Sequence, residues 1–305
     1  MKIIHVRKII TDENMKKYYN TFVKPDQIKT ILDEDADVYT TEGRLLLRFR
    51  KNKLDRGKVS QFYNAAGKYT LTSPTHNRGS TTGSKKKNIN DNPPVFSAIL
   101  GYFDRWAPNH KHTFKRLGVK PLLEVRETAF SLTHPEKFKN TFPLLREIDS
   151  YYKKLVPQQY KKQRKKADET HFKIPGTSFT TITTNANFQT SIHTDKGDDA
   201  EGFGNLVVIE RGKYTGGETC MPQYGIGVNV REGDILFMDV HQWHGNLPIK
   251  SENEDVIRMS IVCYLRKKVW EKTRNKSKHF KEKHLRTLKC IKKKWRNKTK
   301  KKKLK

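Results

Sequence analysis

The chain has 305 residues, a hydrophobic fraction of 34%, an aromatic fraction of 10% and a formal net charge of +31. That allows one large core with polar extensions, and the charge points to a polyanionic partner, nucleic acid first. No run of about 18 apolar residues occurs, so no membrane-spanning helix is expected. The opening MKIIHVRKIITDEN lacks the unbroken apolar stretch of a signal peptide. Cys220, Cys263 and Cys290 show no CxxC spacing, which argues against a disulfide framework and for an intracellular, reducing setting.

In chain order, MKIIHVRKII predicts a strand, DENMKKYYNTFV a helix capped by its aspartate, and RLLLRFR another strand. Residues 72–94 predict a long polar loop rich in Gly, Ser, Thr and Asn. VFSAILGYFD and LLEVRETAFSL predict two further strands, and 134–168 predicts helix from apolar residues recurring at three and four. From 171 to 268, short strands alternate with Gly-rich turns such as KYTGGETC and YGIGVNV, the pattern of a sandwich or jelly roll. The expected fold is α+β. A double-stranded β-helix core at about 171–268 lies in a domain spanning 71–268, between an N-terminal α/β extension (1–70) and a basic tail (269–305).

The last forty residues carry 21 of the chain's 63 Lys and Arg residues against two of its 32 acidic ones. Phe280, His284, Leu288, Ile291 and Trp295 recur at helical spacing there. This predicts a basic amphipathic helix for phosphate contact; a frayed, solvated tail is the alternative.

Chemistry concentrates in SIHTDKGDD. His193 and Asp195, two apart on a strand, would face the same side. Some fifty residues on, GDILFMDV ends just before His241 and His244, and Arg258 opens the strand VIRMSIVCYL. Two histidines and a carboxylate make the facial triad of non-haem Fe(II) oxygenases, with coordination positions left open. An arginine on a neighbouring strand suits the distant carboxylate of a 2-oxo acid. A His-x-Asp pair alone is weak; the pair, the later histidine and the arginine in this order are specific.

FTTITTNANFQTSIHTDKGD, GFGNLVVIERGKYTGGE, GDILFMDVHQWHGN and IRMSIVCYL together resemble the TET/JBP family of 2-oxoglutarate- and Fe(II)-dependent nucleic-acid dioxygenases, in its JBP-like branch. The resemblance implies Fe(II), 2-oxoglutarate and O2 as the reagents. It implies His193, Asp195 and His244 as metal ligands, with His244 matching better than His241. Arg258 and Ser260 match the 2-oxoglutarate site, with Asn185 as a candidate further contact from the strand before the His-x-Asp pair. The pieces NRGSTTG and EVRETAF also look like family segments. They place Arg78, Gly79 and Arg126 among DNA-contacting residues, with Val125 where a cysteine is expected. Asp198 takes a position that touches the flipped base in the 5-methylcytosine branch. As an ionised acceptor it suits the N3–H of thymine better than the bare N3 of cytosine. The implied activity is hydroxylation of a 5-methylpyrimidine in DNA, thymine to 5-hydroxymethyluracil in preference to 5-methylcytosine. A monomer is expected, in the nucleus or another DNA-containing compartment, a viral one included. Rival readings are a prolyl or lysyl hydroxylase of the same chemistry and a non-catalytic DNA-binding protein on an oxygenase scaffold.

Overall fold

The computed structural model of the chain describes residues 1–303 apart from 85, 87, 107, 120 and 254. The strands are β1 (Lys2–Val6), β2 (Thr30–Leu32), β3 (Ala36–Thr40), β4 (Leu45–Arg50), β5 (Pro74–Thr75), β6 (Val95–Phe103), β7 (Arg126–Glu127) and β8 (Thr181–Ala186). They continue as β9 (Gly204–Arg211), β10 (Thr215–Gly216), β11 (Thr219–Met221), β12 (Ile226–Val228), β13 (Ile235–Met238), β14 (Gly245–Asn246), β15 (Ile249–Lys250) and β16 (Ile257–Tyr264). The helices are α1 (Asp12–Lys17), α2 (Arg56–Phe62), α3 (Lys68–Leu71), α4 (Pro108–Leu117), α5 (Ala129–Thr133), α6 (Pro135–Asn140), α7 (Phe142–Leu155), α8 (Pro157–Asp168), α9 (Lys267–Thr273) and α10 (Lys278–Lys303).

A large sheet runs in the order β1-β3-β4-β13-β9-β16-β8-β6-β5, with β7 on β6; a smaller sheet runs β14-β11-β12-β2. Side chains alternate across the central strands, because successive residues of a strand point to opposite faces. On one face Val207, Ile209, Phe237, Met259, Ile261 and Cys263 join the apolar stripe of α7, formed by Leu144, Leu145, Ile148 and Tyr152. Tyr152 stacks on Phe237 at 5.6 Å and its hydroxyl accepts from Phe203 N at 2.8 Å. Burying each such large side chain is worth about 1.5–3 kcal/mol. On the other face Val208, Leu236 and Met238 pack with Met221, Ile226 and Val228 of the small sheet. Registers are fixed by these two unlike faces; a slip of one residue would exchange them.

Residues 1–70 are woven into this core rather than appended to it. β1, β3 and β4 extend the large sheet, and β2 pairs in parallel with β12. Two local expectations are corrected. Helix α1 is capped by Thr11, whose hydroxyl accepts from Asn14 N at 3.3 Å, with Asp12 already inside the first turn. LLEVRETAFSL is largely not a strand: only Arg126–Glu127 pairs with β6, and Ala129–Thr133 is helical. Thr128 makes the last bond to β6, its N–H to Gly101 O at 2.9 Å, and its carbonyl, accepting from Leu132 N, starts the helix that ends the pairing.

The tail begins as α9 and α10 separated by 274–277. The first turns of α10 are docked. Phe280 and Leu285 pack against Tyr102, Val125 and Phe172, and the buried His284 bonds Val125 O through Nε2 at 2.7 Å. Ile291 is buried as well. The side chain of Trp295 and the end of the KTKKKKLK run lie outside the described residues. No helix among the described residues is long and apolar enough to cross a membrane.

Candidate metal and co-substrate site

Between the two sheets the apolar packing gives way to a cavity of about 210 Å³. Strand alternation supplies its walls. Thr183 and Asn185 come from β8, Gly204 and Leu206 from β9, and Arg258, Ser260, Val262 and Tyr264 from β16.

His193, Asp195 and His244 meet at this cavity, with one ligand atom from each lying within 4.8 Å of the others. His193 Nε2 is 3.6 Å from Asp195 Oδ1, and His244 Nε2 is 3.8 Å from Asp195 Oδ2. The His-x-Asp pair was expected on a strand. It lies instead on an irregular segment, because Asn187, at φ 47°, ends β8. What aligns the histidines is a single antiparallel bridge: each backbone N–H bonds the other's carbonyl at 2.9 Å. His193 Nδ1 bonds Ser191 O at 2.7 Å, and His244 Nδ1 bonds Gln242 O at 2.9 Å. A carbonyl can only accept, so both Nδ1 atoms carry the proton and both Nε2 lone pairs face Asp195, the arrangement a metal needs. Burial, then the neighbouring His244, pushes His193 down to about 4, which keeps it neutral and able to ligate at pH 7.

Arg258 is buried and its Nε has no hydrogen-bond partner. Its side chain passes over Gly217, φ 76°, where an added Cβ would lie 2.7 Å from Nε. Ser260, two residues along the same face, contacts Asn185 Nδ2 at 3.4 Å. Asn185 Oδ1 accepts from Arg78 Nη2 at 3.1 Å and from Ser97 Oγ at 2.8 Å. Arg78 also lines the cavity, with its Nε unpartnered. A buried polar group without a partner costs about 1–3 kcal/mol, so such groups at a cavity mark a place for a ligand. Asp198 lines it too. Burial, then the charge of Asp195, raises its carboxyl well above the usual carboxylate range, against the pull of Arg266. The donor set and the two guanidinium groups fit a metal ion and an anionic co-substrate.

Three expected site residues stand elsewhere. His241 Nε2 is turned to Asp199 O at 3.1 Å, and His241 is not one of the three convergent groups. Its backbone N–H is held by Asp239 Oδ1 at 3.1 Å, which orients the turn that delivers His244. Arg126 Nε donates to Arg105 O at 2.8 Å beside Phe103, and does not line the cavity. Gly79 lies against Asn92, where an added Cβ would come within 2.7 Å of Nδ2. Asp199, the other acid of the loop, is paired with Lys166 at 2.5 Å.

Sequence reasoning missed Thr183, Tyr264 and Asn246. Thr183 and Tyr264, joined at 3.1 Å, sit two and four residues from Asn185 and Ser260, so period-two counting would have found them. Asn246 Oδ1 accepts from Thr190 N at 2.7 Å and braces the approach to His193; only the fold brings these two together.

Residues 114–267 match the family model described as the oxygenase domain of the 2OGFeDO superfamily, Tet_JBP. The chain belongs to this family. It is 33% identical over 172 residues to the thymine dioxygenase JBP1 of Trypanosoma brucei brucei, and 34% identical over 185 residues to the bifunctional helicase and thymine dioxygenase JBP2 of Leishmania braziliensis. These matches cover 56% and 59% of this chain but only 19% and 16% of those proteins. The solved structure of NgTET1 in complex with 5mC DNA shares the fold, with a TM-score of 0.53 at 16% identity over 80% of this chain and 83% of that one. The family's iron and 2-oxoglutarate fit the triad and the guanidinium-lined cavity. The match begins at 114, so Arg78 and the 72–94 loop fall outside it.

Proposed function

We propose that this chain is a 2-oxoglutarate- and Fe(II)-dependent dioxygenase, built on a double-stranded β-helix, that hydroxylates the 5-methyl group of a pyrimidine in DNA. Thymine, giving 5-hydroxymethyluracil, is favoured over 5-methylcytosine on the names of the two curated relatives, both thymine dioxygenases, and not on Asp198, whose raised carboxyl leans toward the protonated donor. One observation carries the reading: the His193–Asp195–His244 triad and the buried, incompletely bonded Arg258 share one cavity.

His193, Asp195 and His244 would hold the iron. Bound there, it supplies the oxidising power to break an inert methyl C–H bond, with 2-oxoglutarate and O2 consumed and succinate and CO2 released. The residues of the chain do the rest. Arg258 receives the distant carboxylate of 2-oxoglutarate in a charge-assisted pair, with the Ser260 hydroxyl beside it. Asn185 holds Arg78 and Ser260 in place through its amide. Nδ1–H bonds to backbone keep both histidines in the ligating tautomer. Asp198 faces the base. Ionised, it accepts the N3–H of thymine; protonated, it can donate to the N3 of cytosine.

The DNA substrate is supported by the names of the two curated relatives and by the basic character of the chain. A methyl group within a duplex reaches such a cavity only when its base is extruded, at a cost of a few kcal/mol. Phosphate contacts of a chain at +31 offset that cost. The deciding experiment incubates the protein with Fe(II), 2-oxoglutarate and DNA containing thymine or 5-methylcytosine, and analyses nucleosides by mass spectrometry. Oxidised methyl groups are expected. Succinate formed only with a peptide substrate, and no oxidised base, would replace this reading by a protein hydroxylase.

A further inference from the structure

Residues 16–24 read KKYYNTFVK, outside the family match and unused by the chemistry above. The segment is pinned from beneath to both ligand-bearing stretches. Met15 and Val23 are buried in a cluster with Ile192 and Leu247, against which Trp243 packs. Ile192 directly precedes His193, and Trp243 directly precedes His244. Val23 also abuts Gly245, where an added Cβ would lie 3.0 Å from it. Asn20, at φ 59°, completes the seat. Its N–H bonds Ile192 O at 2.8 Å, and its Nδ2 donates to Gly79 O and Ser84 O at 3.1 and 2.7 Å. Its Oδ1 accepts from Gly83 N at 3.0 Å and Ser191 Oγ at 2.7 Å. One asparagine thus joins the Gly-rich loop to the approach of the metal site.

What this rigid seat displays is apolar and cationic. Tyr18, Tyr19 and Phe22 are 38%, 48% and 42% exposed, and Lys16, Lys17 and Lys24 are exposed around them. Tyr19 meets Trp243 edge to face at 6.3 Å. Aromatic rings held in water forgo the burial that would otherwise stabilise them. Rings interleaved with lysines are the surface that stacks bases and pairs phosphates.

We propose that residues 16–24 form a stacking lip for the DNA strand that carries the reacting base. Tyr18, Tyr19 and Phe22 stack on bases uncovered when the target leaves the duplex, and the three lysines meet the adjoining phosphates. The proposal rests on the reading of the cavity as a base-oxidising site. Charge complementarity selects the occupant, since the rim carries Lys16, Lys17 and Lys24 on a chain at +31.

The test measures binding of the full chain to a thymine-containing duplex by fluorescence anisotropy across a salt series, with 2-aminopurine placed beside the target base. The double variant Tyr18→Ala/Tyr19→Ala is expected to weaken binding roughly tenfold or more, with the salt slope kept and the 2-aminopurine brighter. Tyr19→Trp should retain affinity. Lys16→Ala/Lys17→Ala should flatten the slope by about two units. Unaltered affinity and 2-aminopurine signal in the tyrosine variant, at an unaltered melting temperature, overturn the lip. Should that variant unfold, Tyr19→Leu keeps apolar bulk without a flat face; retained affinity there overturns the proposal equally. Products are read from the wild-type samples. If no oxidised base forms while the tyrosine variants still lose DNA, the oxygenase reading falls and the lip stands. If bases are oxidised and the variants bind as wild type, the reverse holds.

Discussion

The same strands build two unlike regions between the sheets. At one, Val208, Leu236 and Met221 close into a packed cluster with Phe49 and Val228. At the other, Arg258, Ser260, Asn185 and Tyr264 line a cavity beside two histidines and an aspartate. β16 passes from Arg258 to Tyr264 along the cavity while its opposite face, Met259, Ile261 and Cys263, packs on the helices. The packed region stabilises the fold. The cavity keeps Arg258 Nε, Arg78 Nε and Asp198 Oδ2 buried and without partners, a cost that a ligand would recover. Stability and binding capacity are thus divided by position along shared strands.

The sharpest way to break this division is to remove a ligand. His193→Ala, Asp195→Ala and His244→Ala are each expected to reduce succinate formation to background, with the melting temperature of the metal-free protein little altered. His241→Ala should keep most activity, since its ring points to Asp199 O. An inactive His241→Ala beside an active His244→Ala would reassign the third ligand.

Next come paired variants, one from each region. Leu236→Ala, in the packed cluster, should cost about 2–5 kcal/mol in denaturant unfolding. Arg258→Met should leave the stability of the ligand-free protein unchanged or raise it, because an incompletely paired buried charge gives way to apolar volume. The same variant should need at least tenfold more 2-oxoglutarate for half-maximal turnover, about 1.4 kcal/mol or more of missing pairing energy. A large stability loss in Arg258→Met would show that the guanidinium serves the fold.

A smaller effect concerns base choice and its pH dependence. Burial and Asp195 raise the Asp198 carboxyl. Below its raised pKa it is protonated and can donate to cytosine N3; above it, the carboxylate accepts from thymine N3–H. The ratio of thymine to 5-methylcytosine oxidation should therefore rise with pH, by up to roughly tenfold. Asp198→Asn should flatten that dependence and favour 5-methylcytosine. Stability follows the same proton: a carboxyl raised in the folded state stabilises most below the ordinary carboxylate value, and that contribution is lost as pH rises from there through the raised folded value, so Asp198→Asn should lessen the decline of stability across that interval. Nucleoside mass spectrometry and melting curves across pH check both; a ratio indifferent to pH and to the substitution would remove Asp198 from base reading.

The smallest effect belongs to the tail. Because α10 is docked through Phe280, His284 and Ile291, truncation should remove only 292–305. Binding to all DNA sequences should weaken alike, with the slope of log affinity against log salt flattened by about one unit for each phosphate the tail had neutralised. An unaltered slope would show that the tail does not touch DNA.

Period-two alternation and turn glycines made β8, β9, β13 and β16 legible, and His-x-Asp followed by a histidine and an arginine made the convergent His193, Asp195 and His244 and the cavity-lining Arg258 legible. Those signals are local: a strand declares its faces within a few residues, and ligand chemistry restricts residue type. The resemblance favoured His244 over His241, though both follow the same strand; only the fold shows that His244 bridges His193 while the His241 ring turns to Asp199 O. Sequence alone could not show that Arg126 bonds Arg105 O, that residues 1–70 complete both sheets, or that Asn20 reaches Ser191 across 171 positions. Such pairings join segments whose separation carries no periodic signature, and they exist only once hydrophobic burial has folded the chain around them.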